Sequence, residues 1–391
     1  MILPISSSKL RIVLLGYIIR GPLGGLVWHH LQYVLGLKKL GHEVLFLEDS
    51  EDFASCYNPQ TNEMTTNPGY GLKFIKEIFG RFGLTDQWAY YDTHENRWFG
   101  LSEKKVRNFC ASADLILNLS GVNPLRPYTF QIPKRVLIDT DPVFTQIRHL
   151  TESESMIKAK QHTHFFSYGE NIGQSYCTVP DDGFQWQPTR QPVVLEYWKE
   201  SEGNPASAWT TVMQWDSYKT REFGGHTFGM KSKSFAPYVD LPGNSDERFA
   251  LAIGSATAPT DLLINKGWQV LSSLTITETA EAYQQFIRQS KGEWSVAKEG
   301  YVISKSGWFS ERSAGYLASG LPVVIQETGF SQVIKTGEGL LSFTTPDEAI
   351  AAIDNVNNNY KKHCKNAREI AEEYFKFDKV LNNLLQSSFS S

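Results

Sequence analysis

The stretch SGWFSERSAGYLASGLPVVIQETGF, residues 306–330, decides the fold prediction. We predict a strand at Tyr301–Ile303, a polar turn over Ser304–Ser310, a helix over Glu311–Ser319 and a strand over Pro322–Ile325 that ends in the turn Glu327–Phe330. In an open parallel sheet the carboxyl ends of the strands face the ligand crevice. Both polar turns are therefore expected to face a cleft.

The rest of the chain alternates strands and helices in the same way. A strand at Arg11–Leu15, a glycine-containing loop, a helix over about Leu26–Leu40 and a strand at Val44–Leu47 form one βαβ unit. Further strands are predicted at Leu115–Leu117, Val136–Ile138, His164–Phe166, Thr210–Met213, Ala250–Ile253 and Trp268–Leu271. The pattern predicts an α/β fold of two Rossmann-like lobes that face each other across a cleft.

The 391 residues exceed the size at which one core keeps growing, so two domains are expected. We place an N-terminal Rossmann-like lobe at 1–180, a linker at 181–205, a C-terminal Rossmann-like lobe at 206–370 and a C-terminal helix at 371–391. Prolines in and beside the linker are expected to prevent regular structure there. The closing helices are predicted at about 346–357 and 360–385, and the last can cross back to the N-terminal lobe.

The composition excludes several classes of protein. A hydrophobic content of 41% and a charged content of 20% are those of a globular protein, and a net charge of −4 argues against a nucleic-acid partner. The four cysteines lack disulfide or metal spacing, which favours a cytoplasmic setting. The start Met1–Ser6 lacks the features of a signal peptide, and no apolar run approaches the ~20 residues of a membrane span. A location peripheral to a membrane stays open.

Polar and aromatic residues around the quoted stretch suggest an anion site. Ser310 is a suitable N-cap, and the first amides of the helix that it begins can bind a diphosphate, with Arg312 as an added donor. Trp308 and Phe309 can stack on a nucleotide base, although each is as well explained as a core aromatic. The alternative for Ser310 and Glu311 is a simple helix cap at the surface. Lys298 and Lys305 offer further charges for phosphate.

Residues 307–330, with ASGLPVV at 318–324 in their centre, resemble the donor-binding region of GT-B-fold glycosyltransferases with a group-1-like C-terminal domain. The helix between Gly25 and Gly41 and the tail AREIAEEYF at 367–375 resemble that group too. The resemblance implies a nucleotide-sugar donor in the C-terminal lobe and an acceptor in the N-terminal lobe. It also implies that the turn Glu327–Gly329 contacts sugar hydroxyls.

The sequence departs from this family at one position. In many members two glutamates eight residues apart serve the donor, and the second lies seven residues before the proline of the next strand. That position is Gly315 in this chain. Glu311 lies one helical turn earlier, so it can reach the donor ribose or sugar instead. The donor-binding candidates are thus Gly24, Gly25, Lys298, Lys305, Trp308, Phe309, Ser310, Glu311, Arg312, Glu327, Thr328 and Gly329.

The catalytic candidates come from the N-terminal lobe. Gly24 and Gly25 precede a helix that carries His29 and His30, of which at most one can face the cleft as a general base. Asp139 and Glu170 follow predicted strands and are preferred over Asp141, because Asp before Pro is a common turn starter. No DxD triplet ends a suitable strand, so we expect no metal.

The sequence therefore predicts a glycosyltransferase that moves a sugar from a nucleotide-diphosphate donor to a hydroxyl of a small-molecule, glycan or lipid acceptor. The nucleotide-sugar is a co-substrate, and no other cofactor or metal is expected. One alternative is a non-catalytic sugar- or nucleotide-binding protein of the same fold, supported by Gly315. A second is a dinucleotide-dependent oxidoreductase, although Gly21–Gly25 has the wrong spacing for GxGxxG.

Overall fold

A computed structural model describes residues 9–390, so the start of the chain, on which the signal-peptide expectation falls, lies outside it. The elements of the N-terminal half are β1 Arg11–Leu15, α1 Gly24–Lys39, β2 Glu43–Asp49, β3 Cys56–Asn58, β4 Glu63–Thr65, α2 Gly69–Arg81, β5 Trp88–Asp92, β6 Arg97–Gly100, α3 Glu103–Ala111, β7 Leu115–Leu119, β8 Lys134–Asp139, α4 Phe144–Thr151, α5 Ser153–Ala159, β9 His164–Ser167 and β10 Trp186–Pro188.

The N-terminal half contains an eight-stranded sheet in the order β10-β9-β8-β7-β1-β2-β5-β6. β6 is antiparallel to β5, and the other neighbours are parallel. β1 lies between β2 and β7, with Ile12 paired to Val44 on one side and to Leu115 on the other. The connections leave β1 in opposite directions, which opens a crevice at its carboxyl end.

The C-terminal half follows the same plan. Its elements are β11 Trp209–Met213, β12 Arg221–Phe223, β13 His226–Phe228, α6 Lys231–Phe235, β14 Phe249–Ile253, α7 Thr260–Asn265, β15 Gln269–Ser272, α8 Ser273–Thr277, α9 Ala280–Gln289, β16 Gly292–Ser295, α10 Glu299–Ser304, α11 Glu311–Ala318, β17 Val323–Gln326, β18 Leu340–Phe343, α12 Pro346–Asn358, α13 Tyr360–Ile370 and α14 Phe377–Phe389. The parallel sheet has the order β15-β14-β11-β16-β17-β18. The predicted α/β class with parallel sheets is confirmed.

One strand prediction in this half was wrong, and one strand was missed. Tyr301–Ile303 belongs to the helix α10, in which Tyr301 is buried and Ile303 is exposed. A short apolar run does not distinguish a strand from one turn of helix. The strand before this helix is β16, whose sequence GEWS contains a buried glutamate, Glu293, and so lacks a strand's usual apolar pattern.

The segment between the sheets is more regular than predicted. Trp186–Pro188 forms β10, which pairs in parallel with β9 at the edge of the N-terminal sheet. Proline is tolerated there because an edge strand has one side without a hydrogen-bonding neighbour. Further along, Val194 and Trp198 are buried. The expectation that prolines prevent regular structure was therefore wrong at β10, while the domain boundaries at 180 and 205 stay a prediction.

The C-terminal helix returns to the N-terminal half, as expected from the sequence. After a π-helical turn at Ala371–Phe375, α14 packs on α1, where a Cβ on Gly36 would lie 2.6 Å from the side chain of Leu381. Leu381, Leu384 and Leu385 are buried in a core that includes residues of both halves. Within residues 9–390 no helix combines the length and hydropathy that a bilayer crossing requires.

Candidate active site between the two sheets

A cavity of about 630 Å³ lies between the carboxyl ends of the two sheets. One wall comes from the loops after β1, β7 and β8, and the other from the loops after β11 and β16 and from the start of α11. Of the predicted site residues, the lining contains Gly25, His29, Lys298, Trp308, Ser310, Glu311 and Arg312. Of the stretch 306–330, the part that reaches the cavity is Trp308 together with Ser310–Arg312.

The start of α11 presents both a fixed cation and an unpartnered carboxylate. The hydroxyl of Ser310 accepts the amide N–H of Arg312 at 3.2 Å, so Ser310 is an N-cap. Arg312 donates to Glu293 at 2.5 Å, to the carbonyl of Val212 at 2.9 Å and to Ser295 at 2.8 Å. These bonds use three of its five N–H donors and leave two for a ligand. Glu311 is exposed in the cavity, and no hydrogen bond or ion pair to its carboxylate occurs among residues 9–390.

Lys231, which the sequence did not single out, faces the same region. It is 8% exposed, lines the cavity and has no carboxylate partner within the described part of the chain. Burial and the neighbouring Arg312 lower its pKa to about 7. A single lysine at the start of the short helix α6 carries no sequence signal, since most lysines are solvated. A buried ammonium without a partner is costly, which makes it a candidate ligand for an anion.

Asp141, not Asp139, is the carboxylate that reaches the cavity from β8. It accepts hydrogen bonds from Lys298 at 2.8 Å, from Tyr218 at 2.5 Å and from Tyr301. Burial opposes the charge, but Lys298 and other cations outweigh it, so the pKa of Asp141 is lowered. Lys298 therefore lines the cavity as predicted, with its ammonium shared between Asp141 and the hydroxyl of Tyr218.

The preference for Asp139 over Asp141 was wrong. The two oxygens of Asp139 accept four hydrogen bonds from within the half, from the Asp141 amide, Thr145, Gln146 and Ser167. It is buried and has no bonding capacity left for a substrate. Asp139 holds the turn that carries Asp141. Asp141 both begins the turn before Pro142 and lines the cavity.

Only one of the two adjacent histidines of α1, His29, lines the cavity, because neighbouring residues of a helix point in different directions. The partner of His29 Nδ1 is Gln191 Oε1, at 2.5 Å. That atom also accepts from Tyr168, and the Gln191 amide nitrogen donates to the carbonyl of His29, so Oε1 is an acceptor. Nδ1 of His29 therefore carries the hydrogen and donates it. Its Nε2 is thus left as an acceptor at the cavity. Burial lowers the pKa of His29. His30 is fully buried, and its two nitrogens bind the carbonyl of Leu26 and the amide of Tyr17. That arrangement leaves His30 no nitrogen for catalysis.

Three amides in the loop after β1 are already bound and are not available to a phosphate. The carboxylate of Glu48 accepts from the amides of Ile18, Ile19 and Arg20 at 2.8, 2.8 and 2.6 Å. Gly24 does not face a ligand either, since a Cβ there would clash with the carbonyl oxygen of Thr279. This glycine allows α1 to approach α9 closely. Gly24 does not line the cavity, so the prediction of a phosphate contact at Gly24 was wrong, and the amides of Ile18, Ile19 and Arg20 are unavailable to a dinucleotide.

Three other candidates lie away from the cavity. Glu170 pairs with Arg190 at 2.5 Å, and Lys305 is exposed at the end of α10. Phe309 is 3% exposed in the core, with its ring 5.4 Å from that of Phe330. These three assignments are corrected, and for Phe309 the core alternative holds.

The turn Glu327–Gly329 also points away from the cavity. Glu327 accepts the amide of Gly329 at 2.6 Å, and Thr328 donates to the carbonyl of Trp308 at 2.6 Å. Gly329 lies against Asn171, whose side chain donates to its carbonyl. The turn therefore supports the loop that carries Trp308. Trp308 itself lines the cavity and donates to the carbonyl of Thr140 at 3.2 Å.

The space beside Gly315, which stands at the position of the second family glutamate, is occupied by a side chain from another segment. A Cβ at this position would lie 2.9 Å from the ring of Trp198, which belongs to the segment between the sheets. A glutamate has no room there. No group of three or more His, Cys, Asp or Glu side chains placed to hold a metal ion occurs in residues 9–390.

No protein-family model matches the chain, and no curated protein does. Solved structures do match. An alpha-glucosyltransferase in complex with UDP-glucose and DNA containing an abasic site aligns with a TM-score of 0.60 at 9% identity over 97% of this chain and 100% of its own. Anabaena Alr3699/HepE in complex with UDP and glucose gives 0.57 at 11% identity over 98% and 100%.

AviGT4, a glycosyltransferase involved in avilamycin A biosynthesis, gives a TM-score of 0.54 at 12% identity over 97% of each chain. The three alignments span nearly the whole chain. Because the sequence identities are only 9–12%, the alignments show similarity of the fold alone. This chain has the GT-B fold, with two parallel sheets whose carboxyl ends meet at one cavity.

Proposed function

We propose that the protein is a glycosyltransferase that moves a sugar from a nucleoside diphosphate donor to an acceptor hydroxyl. The observation that carries this proposal is the set of uncommitted groups around one cavity. Lys231 and Glu311 lack partners among the described residues, Arg312 keeps two N–H donors, and His29 faces them with an acceptor nitrogen. Cations, a carboxylate and a base are the groups that this reaction requires.

The donor diphosphate would bind at the start of α11. Lys231 and Arg312 supply positive charge, and the first amides of the eight-residue helix add N–H donors. These groups stabilise the nucleoside diphosphate as it gains charge when the bond to the sugar breaks. Glu311, one turn before Gly315, would accept hydroxyl hydrogens of the donor ribose or sugar, and Trp308 would contact the donor or the acceptor.

His29 would act as the general base. Its Nδ1–H is held by Gln191, and its lowered pKa keeps the ring neutral near pH 7. A neutral imidazole with a lone pair on Nε2 can accept the proton of an acceptor hydroxyl.

The reaction would need no metal and no cofactor besides the nucleotide-sugar. Lys231, Arg312 and the helix amides can offset a diphosphate's charge, which is the task a divalent cation would otherwise perform. Strong inhibition by EDTA, reversed by Mg²⁺ or Mn²⁺, would contradict this part of the proposal.

The acceptor would be a small molecule, a glycan or a lipid. Structures of the alpha-glucosyltransferase contain DNA, but the net charge of −4 does not support a nucleic-acid acceptor for this chain. The alpha-glucosyltransferase and HepE structures contain UDP or UDP-glucose, so UDP is the first nucleotide to test. The scattered free cysteines support a cytoplasmic protein, peripheral to a membrane at most.

The test combines nucleotide binding with turnover. UDP, GDP and dTDP are compared by thermal shift, and release of nucleoside diphosphate is measured with a panel of nucleotide-sugars. We expect one nucleotide to stabilise the protein and Glu311→Gln to reduce release, whereas Glu77→Gln, an exposed glutamate on α2, leaves it unchanged. Stabilisation without any release would favour a binding protein, and a fully active Glu311→Gln would remove Glu311 from the site.

A further inference from the structure

A second, smaller pocket opens from the cavity on the N-terminal side. Its volume is about 90 Å³, and it shares Ser120, Gly121 and Arg148 with the main cavity. All its lining residues lie between positions 120 and 162, in the half that would bind the acceptor. The pocket therefore has room for one substituent of an acceptor whose remainder lies in the main cavity.

The backbone is unusual at Ser120, which lines the pocket, and at Val143, which precedes a helix that lines it. Ser120 has φ +60° and Val143 has φ +69°, in the left-handed region that residues with a Cβ, and β-branched ones above all, rarely adopt. Val143 precedes α4, the helix that carries Arg148, and Ser120 bonds Thr140 at 2.6 Å in the loop of Asp141. Strained positions of this kind concentrate at ligand sites.

Arg148 at the junction shares its nearest carboxylate with a second cation. Arg148 lies 3.5 Å from Asp141, but Asp141 is already bound by Lys298 at 2.8 Å. Two cations thus share one carboxylate. Arg148 otherwise makes one hydrogen bond, to Thr145 at 3.0 Å, which leaves most of its N–H donors for a ligand.

The pocket's own carboxylate has no oxygen available to bind Arg148. The one acidic residue in its lining is Asp139, whose oxygens already accept four internal hydrogen bonds. A further cation, Lys158, is held by two long surface ion pairs, to Glu51 at 3.4 Å and Glu154 at 3.3 Å. Arg148, unlike Lys158, therefore keeps most of its N–H donors for a ligand at the junction of the two cavities.

We propose that this pocket receives an anionic substituent of the acceptor, a carboxylate or a phosphate, and that Arg148 binds it. The inference rests on the proposed function, since it assigns the acceptor to the N-terminal side of the cavity. The planar fork of a guanidinium matches both groups with two parallel hydrogen bonds. Arg148 thereby selects charged acceptors over neutral ones of the same shape.

The experiment measures binding to the UDP complex, so that the donor phosphate site is already filled. Glucuronate and glucose 6-phosphate are the anionic probes, and glucose is the neutral one. We expect at least one anionic probe to bind about tenfold more tightly than glucose. This preference should disappear in Arg148→Gln, return in part in Arg148→Lys and persist in Lys160→Gln, which removes an exposed lysine beside the pocket. Comparison of the two anionic probes separates carboxylate from phosphate recognition.

Equal binding of all three sugars, or an unchanged preference in Arg148→Gln, would overturn the inference. The melting temperature of each variant with and without UDP shows whether it is folded. Failure of UDP to stabilise the wild type would contradict UDP as the donor nucleotide instead. The same probes are therefore also compared without UDP, where a preference that depends on Arg148 still supports the anionic pocket.

Discussion

At the scale of single residues, the site depends on side chains that are buried without a partner. Lys231 and the acceptor nitrogen of His29 lack internal partners in the described structure, whereas Asp139, His30 and Glu170 have theirs. Leaving a buried polar group without a partner destabilises a fold. Buried polar groups that lack a protein partner and line a cavity are therefore the strongest candidates for ligand binding.

Replacement of His29 should affect turnover far more than binding. In His29→Gln we expect kcat to fall by about 10²- to 10⁴-fold with KM little changed, the usual contribution of a general base. In the wild type, activity should fall with decreasing pH only below about 6.5, because burial lowers the pKa of His29 and the neutral ring is the active form. The pH profile of kcat checks this. The exposed His226→Gln serves as the control, and an acid limb that persists in His29→Gln would contradict the assignment.

Replacement of Lys231 should separate stability from binding. Lys231→Met removes a buried charge without a carboxylate partner, so the free protein should melt at the same temperature or higher. Its Kd for the donor nucleotide should rise about 10- to 100-fold, the equivalent of one charged hydrogen bond.

The pH dependence supplies a further check on Lys231. In the wild type, binding should weaken as pH rises above about 7, where the lysine of the free protein loses its proton. Calorimetric titration at several pH values measures this trend, and it should be absent in Lys231→Met. Lys219→Met, at an exposed lysine in the same segment, should match the wild type. A wild-type trend retained in Lys231→Met would contradict the role of Lys231.

At the scale of elements, α11 is the central one. Its first turn faces the cavity, and its remaining residues are buried against the sheet and the segment between the sheets. Gly315 lies where Trp198 packs on the helix. The absent glutamate is therefore explained by packing, and it is not evidence for lost activity.

Substitution at Gly315 tests this packing. Gly315→Ala should lower the free energy of unfolding by about 1–3 kcal/mol, because its Cβ would lie 2.9 Å from the Trp198 ring. Gly80→Ala, in α2, has open space at its Cβ and should raise it by about 0.5–1 kcal/mol through helix propensity. Urea denaturation measures both. A Gly315→Ala variant as stable as Gly80→Ala would show that Trp198 can move aside.

At the scale of the whole molecule, the two halves are joined at several points besides the cavity. Trp28 of α1 donates to the carbonyl of Ala280 at 2.9 Å, and α14 brings the end of the chain back onto α1. The relative positions of His29 and α11 depend on these contacts.

A cavity in α14 should therefore weaken the whole fold. Leu381→Ala removes a fully buried side chain and should lower the free energy of unfolding by about 2–5 kcal/mol. Leu262→Ala, at a leucine that is 47% exposed, should change it by less than about 0.5 kcal/mol. Thermal and chemical unfolding test the pair. An effect of Leu381→Ala as small as that of Leu262→Ala would mean that the packing of α14 is dispensable for stability.

The sequence by itself determined the order of elements and the site's main segment. Apolar runs located nine of the fourteen strands in the two large sheets, and the N-cap at Ser310 followed from residue type. These features depend on neighbours within a few positions of the chain. The sequence did not predict the strand β16, because its buried Glu293 interrupts the apolar pattern. The charge of Glu293 is neutralised by Arg312, which is 19 residues away.

Only the tertiary structure decided which side chains face the cavity. Asp141 is bound by Lys298, 157 residues later, and three amides of the loop after β1 are bound by Glu48. No local pattern encodes such pairs, because each requires two strands or loops that meet only after folding. The physical reason is that a buried polar group must be satisfied by whatever lies next to it in space, whether or not it is near in sequence.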